Sequence, residues 1–259
     1  MLMNEYTSFA WVYDQFMDNI PYKEWGDYFL GLLKEEGIEE GIILELGCGT
    51  GTFTTLLAEA GYEMIGVDLS EEMLGMAMDK QVERGTDILY LHQDMRELDL
   101  YGTVRAVVSV CDTMNYLLEK EDLKKVFSLV NNYLDPGGLF IFDLNTIYKY
   151  EKILGNCVIG ENREERSLLW ENVYDQEKRI NEYNLTIYEK VQGGDLYERM
   201  EEIHYQKAYP VEEIIRLLEE SGLKFLHCYG EGTKEAPSPT CERVYIIARE
   251  QGKESGQNG

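Results

Sequence analysis

No apolar run in this 259-residue chain approaches the ~20 residues that a helix needs to span a bilayer, which excludes a helical membrane protein. The first twenty residues carry Glu5, Asp14 and Asp18 in place of a basic start and an apolar block, so no secretory leader is expected and the cytoplasm is the expected compartment. The five cysteines, Cys48, Cys111, Cys157, Cys228 and Cys241, are odd in number, scattered and never spaced C-x-x-C, which argues for reduced thiols and against a zinc or redox site. Only three histidines occur, His92, His204 and His227, with no metal-ligand spacing; all three are expected in structural or surface roles, and no metal is expected. Basic residues are scarce too: 24 Lys and Arg stand against 49 Asp and Glu, a formal charge of -25. Such a field repels polyphosphate backbones, so nucleic acid is a poor substrate.

What is present is an ordinary globular mixture, 44% hydrophobic and 28% charged, long enough for one main α/β core with an insertion. Residues 1–40 read as helical. Tyr6, Phe9, Tyr13, Phe16 and Met17 share a face, Pro21 interrupts, and a second helix from near Tyr22 carries Trp25, Phe29, Leu32 and Leu33 up to Gly37. From Ile42 short apolar strands alternate with helical stretches: strands 42–46, 64–67, 88–92, 106–110 and 139–143, with helices between them. That grammar predicts parallel β-α-β units. Ser70 reads as a helix N-cap, and Asp135-Pro136-Gly137-Gly138 reads as a turn. Segments 168–174, 179–190 and 196–206 alternate with period two, so 150–209 is expected to be an inserted antiparallel sheet. A helix from Val211 and strands 224–229 and 243–248 then complete the main domain, 41–149 with 210–249, before a polar tail, 250–259. The fold class is α/β, Rossmann-like, with a mostly parallel seven-stranded sheet.

The strongest chemical signal is the loop Glu45-Leu46-Gly47-Cys48-Gly49-Thr50-Gly51 between a strand and a helix. Glycines there let the chain turn sharply and let a ligand reach main-chain amides at a helix N-terminus. A dinucleotide fingerprint would need a further glycine where Thr52 stands, which disfavours a nicotinamide-dependent oxidoreductase. Asp68 ends the second strand nineteen residues after Gly49, where nucleoside-binding folds put a carboxylate against ribose hydroxyls.

These residues, followed by Val67-Asp68-Leu69-Ser70, Gln93-Asp94-Met95 and Leu134-Asp135-Pro136-Gly137-Gly138, resemble in order the motifs of class I S-adenosylmethionine-dependent methyltransferases over residues 42–143. The stretch Tyr6-x-x-Phe9-Ala10-x-x-Tyr13-Asp14 and the late Glu242-Arg243-Val244-Tyr245 further resemble a bacterial subgroup of small-molecule type. The resemblance implies S-adenosyl-L-methionine as cofactor, with Gly47, Cys48 and Gly49 along its methionine part and Glu45 organising the loop or reaching the amino group. It further implies Asp68 on the ribose, Leu69 and Met73 about the adenine, Asp94 and Met95 at the adenine edge, and Cys111 beside the methionine moiety. Met73 and Met95 also fit as plain core methionines, and Cys48 and Cys111 as small packing residues.

Methyl transfer asks an enzyme to align a nucleophile, exclude water and tolerate a fading positive charge. Tyr6 and Tyr13 suit the walls of such a site, though their spacing equally suits a helix core. Asp112, Asn115 and Tyr116 follow the fourth strand at the edge where ligands bind, and would either orient an acceptor amine or hydroxyl or cap the next helix. Arg243 would bind a substrate carboxylate or form an internal ion pair. The expected function is methylation of a small molecule at N or O, with the N-terminal helices and the insertion as a lid; a non-enzymatic nucleoside-binding module is the alternative. The tyrosine-rich insertion could also pair two copies across a two-fold axis.

Overall fold

The computed structural model describes Asp14, Phe16, Asp18 and residues 20–191 and 194–253. Helix α1 (Tyr22–Glu35) starts after Pro21 and buries Trp25, Phe29, Leu32 and Leu33, which recur at helical spacing on one face. Gly37, at φ +82°, ends it by taking a backbone sign that other residues resist. The main domain then runs β1 (Ile42–Leu46), α2 (Thr52–Glu59), β2 (Glu63–Asp68), α3 (Glu71–Arg84), β3 (Ile88–His92), β4 (Val104–Ser109), α4 (Lys120–Tyr133) and β5 (Leu134–Asn145). After the insertion come α5 (Val211–Glu220), β10 (Leu223–Gly230) and β11 (Arg243–Glu250).

These strands form one seven-stranded sheet in the order β10-β11-β5-β4-β1-β2-β3. All neighbours pair in parallel except β11, which is antiparallel to both β5 and β10. Alternate strand residues feed two cores. Ile43, Met64, Val108 and Ile141 pack against α1, α2 and α3, while Leu44, Val107, Phe140 and Ile246 pack against α4 and α5. Strand order reverses direction between β1 and β4, and a crevice opens there beyond their carboxyl ends.

Strands β6 (Val158–Asn162), β7 (Arg166–Asp175), β8 (Ile180–Lys190) and β9 (Tyr197–Lys207) form a second, antiparallel sheet in that order. Its period-two pattern sorts residues by face: Tyr183, Ile187 and Gln206 are buried, while Ile203 and Tyr205 face solvent. The inner face lies over the main domain.

Three details differ from the sequence expectation. Asp135–Gly138 does not separate α4 from a strand but bulges out within β5, since Leu134 pairs with Val104 and Leu139 with Ala106, with Gly137 at φ +70°. Strand β6, which carries Gly160 and the polar Glu161 and Asn162, gives no alternation strong enough to read from composition. A π-helical turn, Lys149–Leu154, joins β5 to the insertion and buries Tyr150 and Leu154.

Candidate active site

The glycine loop is tied to the neighbouring strand before any ligand is considered. Gly47 and Cys48 both donate their amides to the carbonyl of Val67, at 2.8 and 3.0 Å. Gly49 donates to Asp68 Oδ2 at 2.7 Å, and Ser70 donates to Asp68 Oδ1 at 2.9 Å. Burial raises the Asp68 carboxyl above its ordinary range, against the pull of those amides. Gly47, Gly49 and Gly51 all have positive φ. A side chain on Gly47 would run into Thr113, whereas one on Gly49 would meet nothing within 4 Å and point into open space. Glu45 is buried behind the loop and accepts from the Thr54 hydroxyl; burial pushes its carboxyl up to about 8, with the Thr54 bond opposing and Asp68 adding to the rise.

The opposite wall comes from the turn after β4. Cys111 and Asp112 have φ of +58° and +53°, a left-handed pair without glycine that must be held from outside. Asp112 donates its amide to Asp143 Oδ1 at 2.7 Å, and its carboxylate accepts from Arg243 Nη2 at 2.8 Å and from Gln206 Nε2 at 2.6 Å. Arg243 also pairs with Asp143 and stacks over the Trp25 ring at 5.0 Å. Burial works against ionisation of Asp112, but Arg243, Lys149 and Gln206 together hold its carboxyl below the usual range. Gln206 Oε1 in turn accepts from Tyr150 and Tyr183, at 2.8 and 2.7 Å. One polar chain thus runs from the last strand of the main sheet, through the turn, into the insertion. Tyr22, Phe53, Val110 and Cys111 close the crevice around Glu45 and residues 47–50.

A family model described as "Methyltransferase domain" matches residues 43–138. A relative named "Putative methyltransferase", from Geobacillus sp. (strain WCH70), is 36% identical over 246 residues, which is 94% of this chain and 99% of the relative. The chain belongs to the class I S-adenosylmethionine-dependent methyltransferases. Its fold agrees with the crystal structure of an S-adenosylmethionine-dependent methyltransferase from Clostridium acetobutylicum ATCC 824: TM-score 0.85, 29% identity, covering 96% of this chain and 100% of that one. Over a shorter span, 123 residues or 47% of this chain and 45% of the relative, it is 31% identical to a glycine/sarcosine N-methyltransferase of Halorhodospira halochloris.

The methyltransferase's donor set fits its cofactor. Each Asp68 oxygen spends one acceptor site on a backbone amide and keeps another, the arrangement that a vicinal ribose diol can use. Leu69, 64% exposed, offers an uncovered apolar surface next to it. Met73 is half-buried in the first turn of α3, with its amide on Ser70 Oγ. Met95 packs against the core, and Asp94 is gripped by Arg96 at 2.6 Å, which holds its carboxyl below the ordinary range, so an adenine amino group would share that carboxylate with a guanidinium. Burial, with the nearby Glu45 and Asp68 charges, raises the Cys48 thiol; burial, with Asp143, raises that of Cys111. Both stay protonated thiols, in keeping with packing rather than nucleophilic roles.

Of the residues expected to handle the acceptor, Tyr6 and Tyr13 lie outside the described residues. Asn115 is fully buried and spends its amide on the main chain: it donates to Asn145 O and Lys207 O and accepts from Asn145 N. It fastens the turn to β5 and β9 and turns no polar atom toward an acceptor. Arg243 takes the ion-pair alternative. Sequence reasoning missed Gln206, Tyr150, Tyr183, Tyr22 and Trp25, whose spacing carries no motif. It also missed Lys80, which reaches Asp14 at 2.9 Å and Thr52 at 2.6 Å while Thr50 bonds Asp14, so Asp14 is pinned to the glycine loop. Among the described residues no group of three or more His, Cys, Asp or Glu is arranged to hold a metal ion, and no helix is long and apolar enough to cross a membrane.

Proposed function

We propose that this methyltransferase acts in the cytoplasm on a nitrogen or oxygen of a small molecule. The observation that carries the reading is the contact of the inserted sheet with a wall of the crevice: its inner face reaches the turn after β4 directly, with Gln206 bonded to Asp112. Asp14 meets the glycine loop, and Asp18 joins Arg163 of the insertion at 2.8 Å. A site enclosed from two sides admits a small acceptor and excludes the bulk water that would compete with it. The charge of -25 opposes polyanionic substrates, and the partial relative that methylates glycine and sarcosine nitrogen supports an amine or similar nucleophile.

In this reading Asp68 holds the ribose, Leu69 and Met73 flank the adenine, Asp94 and Met95 meet its edge, and residues 47–49 with Glu45 and Cys111 surround the methionine part. The bound cofactor supplies a methyl group activated on a sulfonium. The protein's share is alignment, a dry crevice, and the faces of Tyr22 and Phe53 beside the site. Incubation with S-adenosylmethionine and a panel of small amines and alcohols, followed by detection of S-adenosylhomocysteine and mass analysis of the product, tests it. Methylated N or O products are expected; turnover confined to protein or nucleic acid substrates would overturn it.

A further inference from the structure

Lys and Arg make up 24 of the 259 residues, yet four of the ten residues around one cleft of about 380 Å³ are cations: Lys120, Lys178, Arg179 and Lys207. The cleft lies where the β7–β8 turn and the end of β9 meet the first residues of α4 and α5, and it shares no residue with the crevice. Glu119, Glu177 and Glu213 also line it, so four cations against three acids leave a net positive lining on a protein of charge -25. Most of these charges are already engaged. Lys120 pairs with Glu213, Lys178 leans on Asp175 at 3.4 Å, and Lys207 donates to Leu118 O at 2.7 Å. Arg179 is different: among the described residues its guanidinium has no hydrogen bond and no ion pair. Its backbone sits at φ +57°, which glycine takes freely and arginine takes at a cost. The turn itself is built without that side chain. Asp175 Oδ1 accepts from the amides of Glu177 and Lys178 at 3.0 Å each, and Arg179 O accepts from Ala208 N at 2.8 Å.

We propose that this cleft binds a small molecule through a single phosphate monoester group, gripped by the Arg179 guanidinium with Lys178 and Lys207 beside it. A guanidinium fork takes an oxyanion in a bidentate pair. Phosphate presents three oxygens in different directions, whereas a carboxylate presents two in one plane, so cations arriving from α4, the β7–β8 turn and β9 match phosphate better. The field of the whole protein opposes a polyanion, and Glu119 and Glu177 oppose a second acidic group on the ligand. The inference is independent of the acceptor, but the cleft is coupled to the acceptor wall. Lys207 O accepts from Asn115 Nδ2 at 2.8 Å, Tyr209 donates its hydroxyl to Leu117 O at 2.5 Å, and Gln206 bonds Asp112. An anion that draws Lys207 Nζ away from Leu118 O therefore acts on the turn after β4, which makes the phosphate ligand an effector of that wall.

The test is calorimetry of the whole chain with inorganic phosphate, glycerol 3-phosphate and succinate, with the crevice saturated by S-adenosylhomocysteine. Wild type is compared with Arg179→Gly and Arg179→Asn, both of which suit a left-handed backbone and lack the cation. Wild type should bind both phosphates and succinate more weakly. Each variant should lose about 10-fold or more in phosphate affinity, while its affinity for S-adenosylhomocysteine stays unchanged. Hydrogen exchange gives the second reading: phosphate should change the protection of amides 112–118 in wild type and leave it unchanged in the variants. No phosphate binding by wild type, equal phosphate affinity in wild type and both variants, or succinate bound as tightly as phosphate would each overturn the site. Phosphate binding that depends on Arg179 but leaves exchange at 112–118 unaltered would overturn the effector role.

Discussion

Arg243 Nη2 lies 2.8 Å from Asp112 Oδ1 while the other guanidinium nitrogen binds Asp143, so the last strand of the sheet clamps the turn that follows β4. The turn needs the clamp, because Cys111 and Asp112 both sit at positive φ without a glycine to relieve them. Arg243→Met would leave two buried carboxylates without their cation. A loss of about 3–5 kcal/mol is expected in urea unfolding. A loss below about 1 kcal/mol would mean that the turn is held by the Gln206 and main-chain contacts instead.

Glu45 predicts a pH dependence whose sign is opposite to that of most carboxylates. Its folded-state pKa stands near 8, raised by burial, against an ordinary value of 4.5. Between those values the folded protein keeps a proton that the unfolded chain has released. Its contribution to stability is therefore complete below about pH 4.5 and is lost as pH rises through about 8. Glu45→Gln cannot ionise, so its urea midpoint should fall less than that of wild type between pH 6 and pH 9. Parallel pH curves for the two proteins would show that Glu45 titrates normally.

On the proposed reading Asp68 holds the ribose, so its removal should weaken the cofactor. Asp68→Ala should cost about 1–3 kcal/mol of S-adenosylhomocysteine binding, through loss of charge-assisted hydrogen bonds. It also releases the Gly49 and Ser70 amides, so thermal unfolding should be recorded alongside calorimetry. Undiminished affinity would remove Asp68 from the ribose.

The two inner glycines of the loop should respond differently to alanine. At Gly49 the added carbon meets no atom, so Gly49→Ala should cost about 1–2 kcal/mol of stability from the left-handed backbone alone, together with a larger loss of cofactor affinity. At Gly47 the carbon collides with Thr113, so Gly47→Ala should destabilise more and loosen the turn after β4 as well. Equal unfolding costs for the two would show that Thr113 moves aside freely.

Much of this was readable one residue at a time. Apolar runs and period-two alternation located ten of the eleven strands among the described residues, because a strand is decided by residues within a few positions of each other. β6 escaped because its five residues, Val158–Asn162, are too few to show an alternation and are made a strand by pairing with β7. The cofactor loop was readable because steric rules at Gly47, Gly49 and Gly51 act on the backbone locally. The acceptor wall was not: Asp112 meets Gln206 across 94 positions and Arg243 across 131. His204 shows the limit well. On spacing it was a structural or surface histidine, and the pairing of β8 with β9 sets it opposite the buried Tyr183.

By itself the sequence determined the α/β class, the glycine loop and the acid that follows it, since each depends on torsion angles and spacing within one β-α-β unit, while the cofactor was implied by the resemblance of those motifs to the class I methyltransferases. Tertiary structure alone decided which charges neutralise one another, that Asn115 serves the main chain, and which face of the insertion meets the turn after β4. Those outcomes depend on burial and on contacts between distant segments, and a charge has no fixed partner until folding removes it from water.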